Sequence, residues 1–204
     1  PGVIKILPWL LKYLTYSTEK KVNHIAKHLE PLLRNSIEEH KKLADGTKAL
    51  QWIKEAPYLY LYKNQQDYKK DSFIWNIRKN YGFNLINVER DELQELVPGL
   101  SKEYTFAIKI ENQGYIVNTK DYLKDLLEGF KELGGNIIEE EVVDIISNEK
   151  DIKIKTNKSE IISDDVVIAA GVFSDTLSKK FGATVPLQSE RGYHLELRKT
   201  NIEL

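Results

Sequence analysis

A segment in the last part of the chain carries residue types that could bind a carboxylate. The stretch "ERGYHLEL" (190–197) alternates as a strand does, so Arg191 and Tyr193 share one face of the predicted strand. A guanidinium can make two parallel hydrogen bonds to a carboxylate, and the tyrosine places a hydroxyl beside it. Gly192 between them would allow a ligand to approach the backbone closely. A surface strand with an ordinary ion pair fits the same residues, so both interpretations stay open.

A second segment, "DDVVIAAGVFSDTLSKKFG" (164–182), predicts a strand, a turn at Gly171 and a short helix with Ser174 at its N-cap. The run "VVIAAG" contains no polar residue, which predicts a strand buried on both faces. A strand end that meets a helix start suits an anionic or dinucleotide ligand, and Ala169, Ala170 and Gly171 are small enough for close approach. One glycine is fewer than the three of a dinucleotide fingerprint, so this signal is weak alone.

The other polar clusters of the sequence are predicted to be solvent-exposed and to have no catalytic or metal-binding role. His24 and His28 stand four apart on a predicted helix, a spacing that can hold a metal, but lysines flank them and no third ligand is near in sequence. We therefore expect a solvated helix face, and the same for His40. The acidic run 139–141 is expected to form a solvated strand edge. No metal site is predicted.

Composition excludes several classes of function. The 204 residues include no cysteine, so disulfides, thiolate metal sites and cysteine nucleophiles are excluded. The formal net charge of -1 gives no general attraction to nucleic acid, and we expect no nucleic-acid partner. The sequence has no methionine and starts at Pro1, which we interpret as a processed or excised piece of a longer protein.

The run "VIKILPWLLKYL" (3–14) is the most apolar part of the first 50 residues. It is too short to cross a bilayer and contains Pro8. We favour a core or docking helix. Contact with a membrane surface is the alternative, because Trp9 and Tyr13 suit the interface between lipid and water.

The order of predicted elements indicates an α+β (mixed α/β) fold. Apolar residues recur every three or four positions through the first 50 residues, which predicts helices, with Pro31 either kinking the run or starting a second helix. Further helices are predicted at 65–81, 91–100, 119–133 and 175–182. Strands are predicted at 56–64, 84–90, 104–110, 113–119, 136–140 and 166–171, with two or three more within 141–165 and a last one at 189–198.

Several quoted segments, taken in order, resemble one known family. They are "PYLYLYKN", "DELQELVPGL", "QGYIVNTKDYLKDLL", "ELGGNIIEEEVVDI", "SDDVVIAAGVFSDTLSKKFG", "TVPL" and "ERGYHLEL". Together they resemble the D-amino acid oxidase superfamily of FAD-dependent oxidoreductases, and most closely its D-amino acid dehydrogenase branch. The resemblance covers nearly the whole chain, although no single motif decides it.

The resemblance implies a two-domain flavoenzyme, of which this chain would supply the substrate domain and part of a Rossmann-like FAD domain. Residues 1–134 would belong to the substrate domain, 135–185 to the FAD domain, and 186–204 would return to the substrate domain. The sequence has no strand followed by G-x-G-x-x-G. We therefore expect the middle fragment of a longer enzyme that binds FAD when intact.

The resemblance also implies roles for individual residues. The backbone of Val143 would meet the adenine end of FAD. Ala169, Ala170 and Gly171 would line the strand end that passes beside the dinucleotide. Arg191 and Tyr193 would lie on the flavin and substrate side, where they are the candidate catalytic residues.

The implied chemistry is oxidative deamination of a D-amino acid, with hydride transfer from the α-carbon to the flavin. A dehydrogenase would pass the electrons to a quinone or another electron-transfer acceptor. The expected location is cytoplasmic, with peripheral attachment to the inner face of the cell membrane as an option. A glycine or sarcosine oxidase-like enzyme is one alternative function, and a non-catalytic α+β binding module is another.

Overall fold

The computed structural model describes residues 2–148 and 151–185, together with 187, 189, 192 and 193. The chain divides after Gly135 into two compact units. Each unit contains both helices and strands, as the element order predicts. The predicted assignment of three segments to two domains stays a prediction.

The first unit begins with three helices, which confirms the helical pattern of the first 50 residues. They are α1 (Gly2–Tyr16), α2 (Glu19–Leu33) and α3 (Ser36–Ala44). Pro31 lies in the last turn of α2 and neither ends it nor starts another helix. A single-turn 3₁₀ helix, Lys48–Trp52, then leads into the strands.

No apolar side chain is buried in α1 from Ile6 onward or anywhere in α2. Every side chain from Ile6 to Tyr16 is exposed, and α2 has no buried residue. Of the two predicted roles, a core helix is therefore wrong for 6–14, because no described element covers these side chains, while a docking helix stays a prediction. Among those residues, no helix combines the length and the apolar composition that crossing a membrane requires.

Strands and helices alternate through the rest of the first unit, close to the predicted positions, except that the strand at 53–55 was not predicted and the helix predicted at 65–81 is divided into two. The elements are β1 (Ile53–Glu55), β2 (Tyr58–Tyr62), α4 (Gln65–Lys70), α5 (Ser72–Asn80), β3 (Leu85–Glu89), α6 (Arg90–Leu96), β4 (Phe106–Ile110), β5 (Gly114–Ile116) and α7 (Thr119–Glu132). Strand β4 lies between β2 and β3 in an antiparallel sheet, and β1 pairs with β5.

The core of this unit forms on both faces of β4. Because neighbouring strands flank β4 and helices cover the sheet, four of its five residues are buried. On one face Phe106, Ile108 and Ile110 pack with Trp75 of α5. On the other, Ala107 packs with Val88 and Leu93. A third cluster joins Ala44, Ala49 and Tyr122.

The second unit is built on an antiparallel three-stranded meander of β6 (Val142–Ser147), β7 (Ile152–Thr156) and β8 (Glu160–Ser163). These strands confirm the prediction for 141–165. The predicted strand at 136–140 is absent from the described structure. There the Glu140 carboxylate instead accepts hydrogen bonds from the Thr156 and Ser159 hydroxyls, at 2.5 and 2.6 Å. Glu139 and Glu141 are exposed, as expected.

The predicted buried strand "VVIAAG" is also wrong. Residues 165–170 belong to no strand, and the side chain of Val167 is 90% exposed. After β8 the Ser163 hydroxyl donates to the Asp165 carbonyl at 2.6 Å, and no described residue forms a ladder with 166–170. An apolar run becomes a buried strand only where partner strands pair with it, so its composition alone does not decide the structure.

Candidate functional site

The turn that follows the apolar run begins at Gly171. This glycine has a φ of +55° and starts a 3₁₀ turn, Gly171–Phe173. That conformation favours glycine, and a β-carbon placed there would meet no atom within 4 Å. Ala169 and Ala170 before it are exposed. The three residues therefore present small side chains and open backbone to solvent.

Ser174 stabilises this turn rather than the N-terminus of the following helix. Its Oγ accepts a hydrogen bond from the backbone N–H of Ala170 at 3.1 Å. The short helix α8 (Ser174–Ser178) instead has Phe173 at its N-cap position, without a side-chain hydrogen bond. The N-cap prediction for Ser174 is therefore wrong, because its hydroxyl bonds the preceding loop.

Val143 lies at an irregularity in the edge strand of the meander. The register of β6 against β7 shifts between Val142 and Asp144, which leaves Val143 as the extra residue of a β-bulge. A bulge bends the strand and re-aims the side chain, and that of Val143 is exposed. No residue type in this segment predicts the irregularity.

An ion pair connects the bulge with the turn segment inside the second unit. The Lys180 ammonium contacts the carboxylate of Asp144, the residue after Val143. Asp144 also accepts the backbone N–H of Ile145 at 2.9 Å. The hydrogen bond from Lys180 holds the pKa of Asp144 below its usual value. Sequence reasoning missed this pair, since 36 positions separate the two residues.

Asp175 fixes the other end of the turn segment. Its carboxylate forms an ion pair with Lys179 at 2.5 Å and accepts the backbone N–H of Val185 at 3.1 Å. The hydrogen bond from Lys179 is the main cause of the lowered pKa of Asp175. The loop from Gly171 to Val185 is thus held by side chains at several points, although it contains little regular structure.

Of the predicted carboxylate-binding pair, the structure describes Tyr193 but not Arg191. Arg191 and most of the predicted strand at 189–198 lie outside the described residues. Gly192 and Tyr193 belong to no regular element, and the side chain of Tyr193 is 89% exposed. The placement of Arg191 beside Tyr193 stays a prediction.

The other polar clusters of the sequence lie in the first unit. His24 and His28 are exposed on α2, as expected. His40 differs from the expectation of simple solvation, because its Nδ1 lies 2.8 Å from the hydroxyl of Tyr122. Burial raises the pKa of Tyr122. Within the part of the chain that the structure describes, no three histidine or carboxylate side chains converge on a common metal position.

A cleft of about 240 Å³ also lies in the first unit. Three acidic residues of α7 line it together with Lys48; they are Asp125, Glu128 and Glu132. None of the residues singled out from the sequence for cofactor or substrate binding lines this cleft.

The geometry around Gly171 determines what this surface can do. Its exposed, small residues fit contact with a flat or extended ligand that approaches the backbone. The described residues do not enclose such a ligand, so they could contribute one contact edge of a larger site.

Comparisons with known proteins agree on one family. Residues 6–203 match the family model described as "DAO: FAD dependent oxidoreductase". A D-amino-acid oxidase of Bradyrhizobium diazoefficiens is 29% identical over 193 residues, which make up 94% of this chain and 46% of that protein. The chain thus spans about half the length of this curated relative.

Solved structures show the same fold. Glycine oxidase from Geobacillus kaustophilus is similar with a TM-score of 0.59 and 20% identity, over 81% of this chain and 44% of that one. L-Proline dehydrogenase from P. horikoshii is similar with a TM-score of 0.57 and 23% identity, over 73% of this chain and 40% of that one. These similarities confirm the predicted fold class.

Proposed function

Because the chain belongs to the DAO family of FAD-dependent oxidoreductases, we propose that the intact protein oxidatively deaminates D-amino acids. The products would be a 2-oxo acid and ammonia. The observation that carries the substrate class is the similarity to a D-amino-acid oxidase across 94% of the chain. The family resemblance stated from the sequence motifs is thereby confirmed, while the substrate stays a proposal.

A glycine or sarcosine oxidase-like activity is the second candidate, since a glycine oxidase shares the fold. The substrates of the two candidates differ in two places. A D-amino acid has a side chain on its α-carbon, which glycine and sarcosine lack, and sarcosine has a methyl group on its nitrogen. Purified intact protein should therefore be assayed with D-alanine, larger D-amino acids, glycine and sarcosine. Turnover of D-alanine but not of sarcosine supports the proposal. The reverse preference contradicts it in favour of the second candidate.

A non-catalytic binding module is the remaining alternative, and cofactor content separates it from an enzyme. The intact protein should carry FAD, visible as a yellow flavin spectrum. A colourless intact protein that gains neither absorbance nor activity from added FAD would exclude the proposed reaction.

The proposed cofactor contact lies at Ala169, Ala170 and Gly171, with the backbone of Val143 near the adenine end. Support comes from the exposed small side chains at 169–171 and from the β-bulge that exposes Val143. FAD supplies an acceptor for the α-hydrogen and its electron pair. The protein's part is to bind the amino acid, orient its α-carbon and exclude water.

A matched pair of glycines tests the cofactor contact. Gly171 and Gly182 both have a positive φ, +55° and +73°, and a β-carbon at either would meet no atom within 4 Å. Gly171→Ala and Gly182→Ala therefore impose comparable backbone strain. In the intact protein we expect FAD affinity to fall in the Gly171 variant only. Equal affinities in the two variants would contradict a contact at Gly171.

We assign the substrate carboxylate to Arg191, with the Tyr193 hydroxyl as a second hydrogen-bond partner. A bidentate guanidinium would hold the carboxylate and so orient the α-carbon. In the intact protein, Arg191→Ala should raise KM at least tenfold, and Arg191→Lys should recover only part of the loss. Tyr193→Phe should raise KM less. An unchanged KM in Arg191→Ala would leave that residue without a role in substrate binding.

Electron transfer to a quinone, with peripheral contact at the inner face of the cell membrane, is the proposed route for reoxidation. Support comes from α1, whose side chains from Ile6 to Tyr16 are exposed and largely apolar, and whose sequence has lysines but no acidic residue. Such a helix suits an anionic lipid surface. Trp9 stacks on Tyr13 with 5.4 Å between ring centroids, and both residue types favour the interface.

Two exposed leucines test this contact. In the intact protein, Leu10→Glu in α1 should abolish flotation with vesicles that contain anionic phospholipid, whereas Leu32→Glu in α2 should not. Equal flotation of both variants and the unmodified protein would contradict a contact through α1. Reoxidation should be compared with a soluble quinone and with oxygen. Rapid turnover with oxygen alone would favour an oxidase.

A further inference from the structure

The rings of two histidines on α2 lie next to each other, although no third metal ligand is near them in the sequence. The ring centroids of His24 and His28 are 4.5 Å apart, with the ring planes at 69°. When two imidazole nitrogens bind one metal at about 2.1 Å each, with a nitrogen–metal–nitrogen angle of roughly 90°, the ring centroids are about 4.5 Å apart. The observed separation therefore equals that of a chelating pair.

Helix geometry produces this closeness. Residues four apart lie one above the other on the same face of a helix, with their side chains directed the same way. Both rings are exposed, so χ2, which has a broad torsional profile, can turn a nitrogen of each ring toward one point. Such a rotation leaves the centroids nearly in place, because they lie close to the rotation axis.

We propose that His24 and His28 form a chelating site for a divalent transition metal, with water completing its coordination. Imidazole suits Cu²⁺, Ni²⁺ and Zn²⁺, and affinity for a nitrogen site is highest for Cu²⁺. A tetragonal Cu²⁺ ion accepts two nitrogens at right angles and fills its other positions with water. The pair thus needs no third protein ligand. The lack of such a ligand near the pair in the sequence is the reason why the sequence alone favours a solvated helix face without a metal.

The charges around the pair weaken the site without removing it. Lys20, Lys21 and Lys27 stand on the same helix, and each repels a cation. They are solvent-exposed, and physiological salt screens such charges over about 8 Å. Of these, Lys21 also has its ammonium 5.2 Å from the centroid of the Tyr16 ring.

Copper titration of the full chain tests the proposal, with electron paramagnetic resonance to count the nitrogen ligands. We expect one Cu²⁺ ion with two imidazole nitrogens, and an affinity at least about tenfold lower in His24→Gln and in His28→Gln, because each variant loses the chelate. The double variant measures binding to any other group of the chain.

A spacing control keeps the number of imidazoles constant. Combining Asn23→His with His24→Gln puts the rings five positions apart, which turns them about 140° from each other around the helix. This variant should bind as weakly as His24→Gln. The proposal is overturned if the spacing control keeps the original affinity, or if the unmodified chain binds no more tightly than the double variant. Circular dichroism of each metal-free variant shows whether α2 has kept its helical content.

Discussion

A β-carbon added to Gly129 would lie 2.5 Å from Cγ2 of Thr47. Thr47 cannot easily move away, because its hydroxyl donates to the Ala44 carbonyl at 2.7 Å and accepts the Ala49 N–H at 3.1 Å. Helix α7 therefore approaches the 3₁₀ helix closely at a position where only glycine fits.

This contact makes Gly129→Ala destabilising, although alanine is the better helix former. Alanine in a helix interior is favoured over glycine by about 1 kcal/mol. Overpacking typically costs about 1–3 kcal/mol, and the two hydrogen bonds of Thr47 restrict relief of the clash. We expect a net loss of up to about 2 kcal/mol in the free energy of unfolding, measured by urea denaturation.

Thr47→Ser supplies the matched background, because serine lacks Cγ2 but keeps the hydroxyl. In that background Gly129→Ala should be neutral or stabilising by up to about 1 kcal/mol. A loss of the same size with either residue at position 47 would contradict the clash.

The indole of Trp52 provides a second test, since its Nε1 donates to Oδ2 of Asp125 at 2.8 Å. The bond joins the 3₁₀ helix to α7 across 73 positions of the sequence. Asp125→Ala should lower the free energy of unfolding by about 1–2 kcal/mol, and Asp125→Asn by less because an acceptor oxygen remains. A double-mutant cycle with Trp52→Phe should show coupling of about 0.5–1.5 kcal/mol. Additive losses would mean that the bond contributes nothing to stability.

The hydroxyl of Tyr62 gives a third prediction. It accepts from Nε1 of Trp75 at 2.8 Å and donates to Oδ2 of Asp71 at 2.9 Å. Tyr62→Phe would leave the N–H of an almost fully buried indole without its acceptor, so we expect a loss of about 1–3 kcal/mol. Tyr60→Phe, in the same strand and against the same cluster, should change stability by less than about 0.5 kcal/mol. Equal effects in urea unfolding would contradict this role of the Tyr62 hydroxyl.

The sequence predicted the elements whose signals are local. Strands β2, β3 and β7 lie at predicted positions, and a glycine with positive φ follows α5 and α7, at Gly82 and Gly134. The N-cap of α7 is Asn118, whose side chain accepts the Asp121 N–H at 3.1 Å. Such features depend on residues within one or two turns, so a single sequence contains them.

The candidate site was less predictable, because its features depend on distant residues. An uninterrupted apolar run such as 166–170 becomes a buried strand only when other strands flank it. The bulge at Val143 and the ion pair of Asp144 with Lys180 depend on how segments meet in three dimensions. Residue types at 169–171 indicated close approach to the backbone; these residues are exposed, and their contact with a cofactor stays a prediction.

Acid should weaken the second unit through Glu140, whose carboxylate accepts hydrogen bonds from the Ser159 and Thr156 hydroxyls. These bonds lower the pKa of Glu140 from its ordinary value of 4.5. A lowered carboxyl pKa contributes stability that is present above the unfolded pKa and is lost as the pH falls through the lower folded pKa. The free energy of unfolding should therefore be lower in Glu140→Gln than in the unmodified chain at pH 6, and the difference should shrink steadily below about pH 4.5. Glu139→Gln, at the exposed neighbouring position, is the control and should show no such dependence on pH. A difference in free energy of unfolding between Glu140→Gln and the unmodified chain that stays constant from pH 6 to pH 3 would contradict the role of the charged carboxylate.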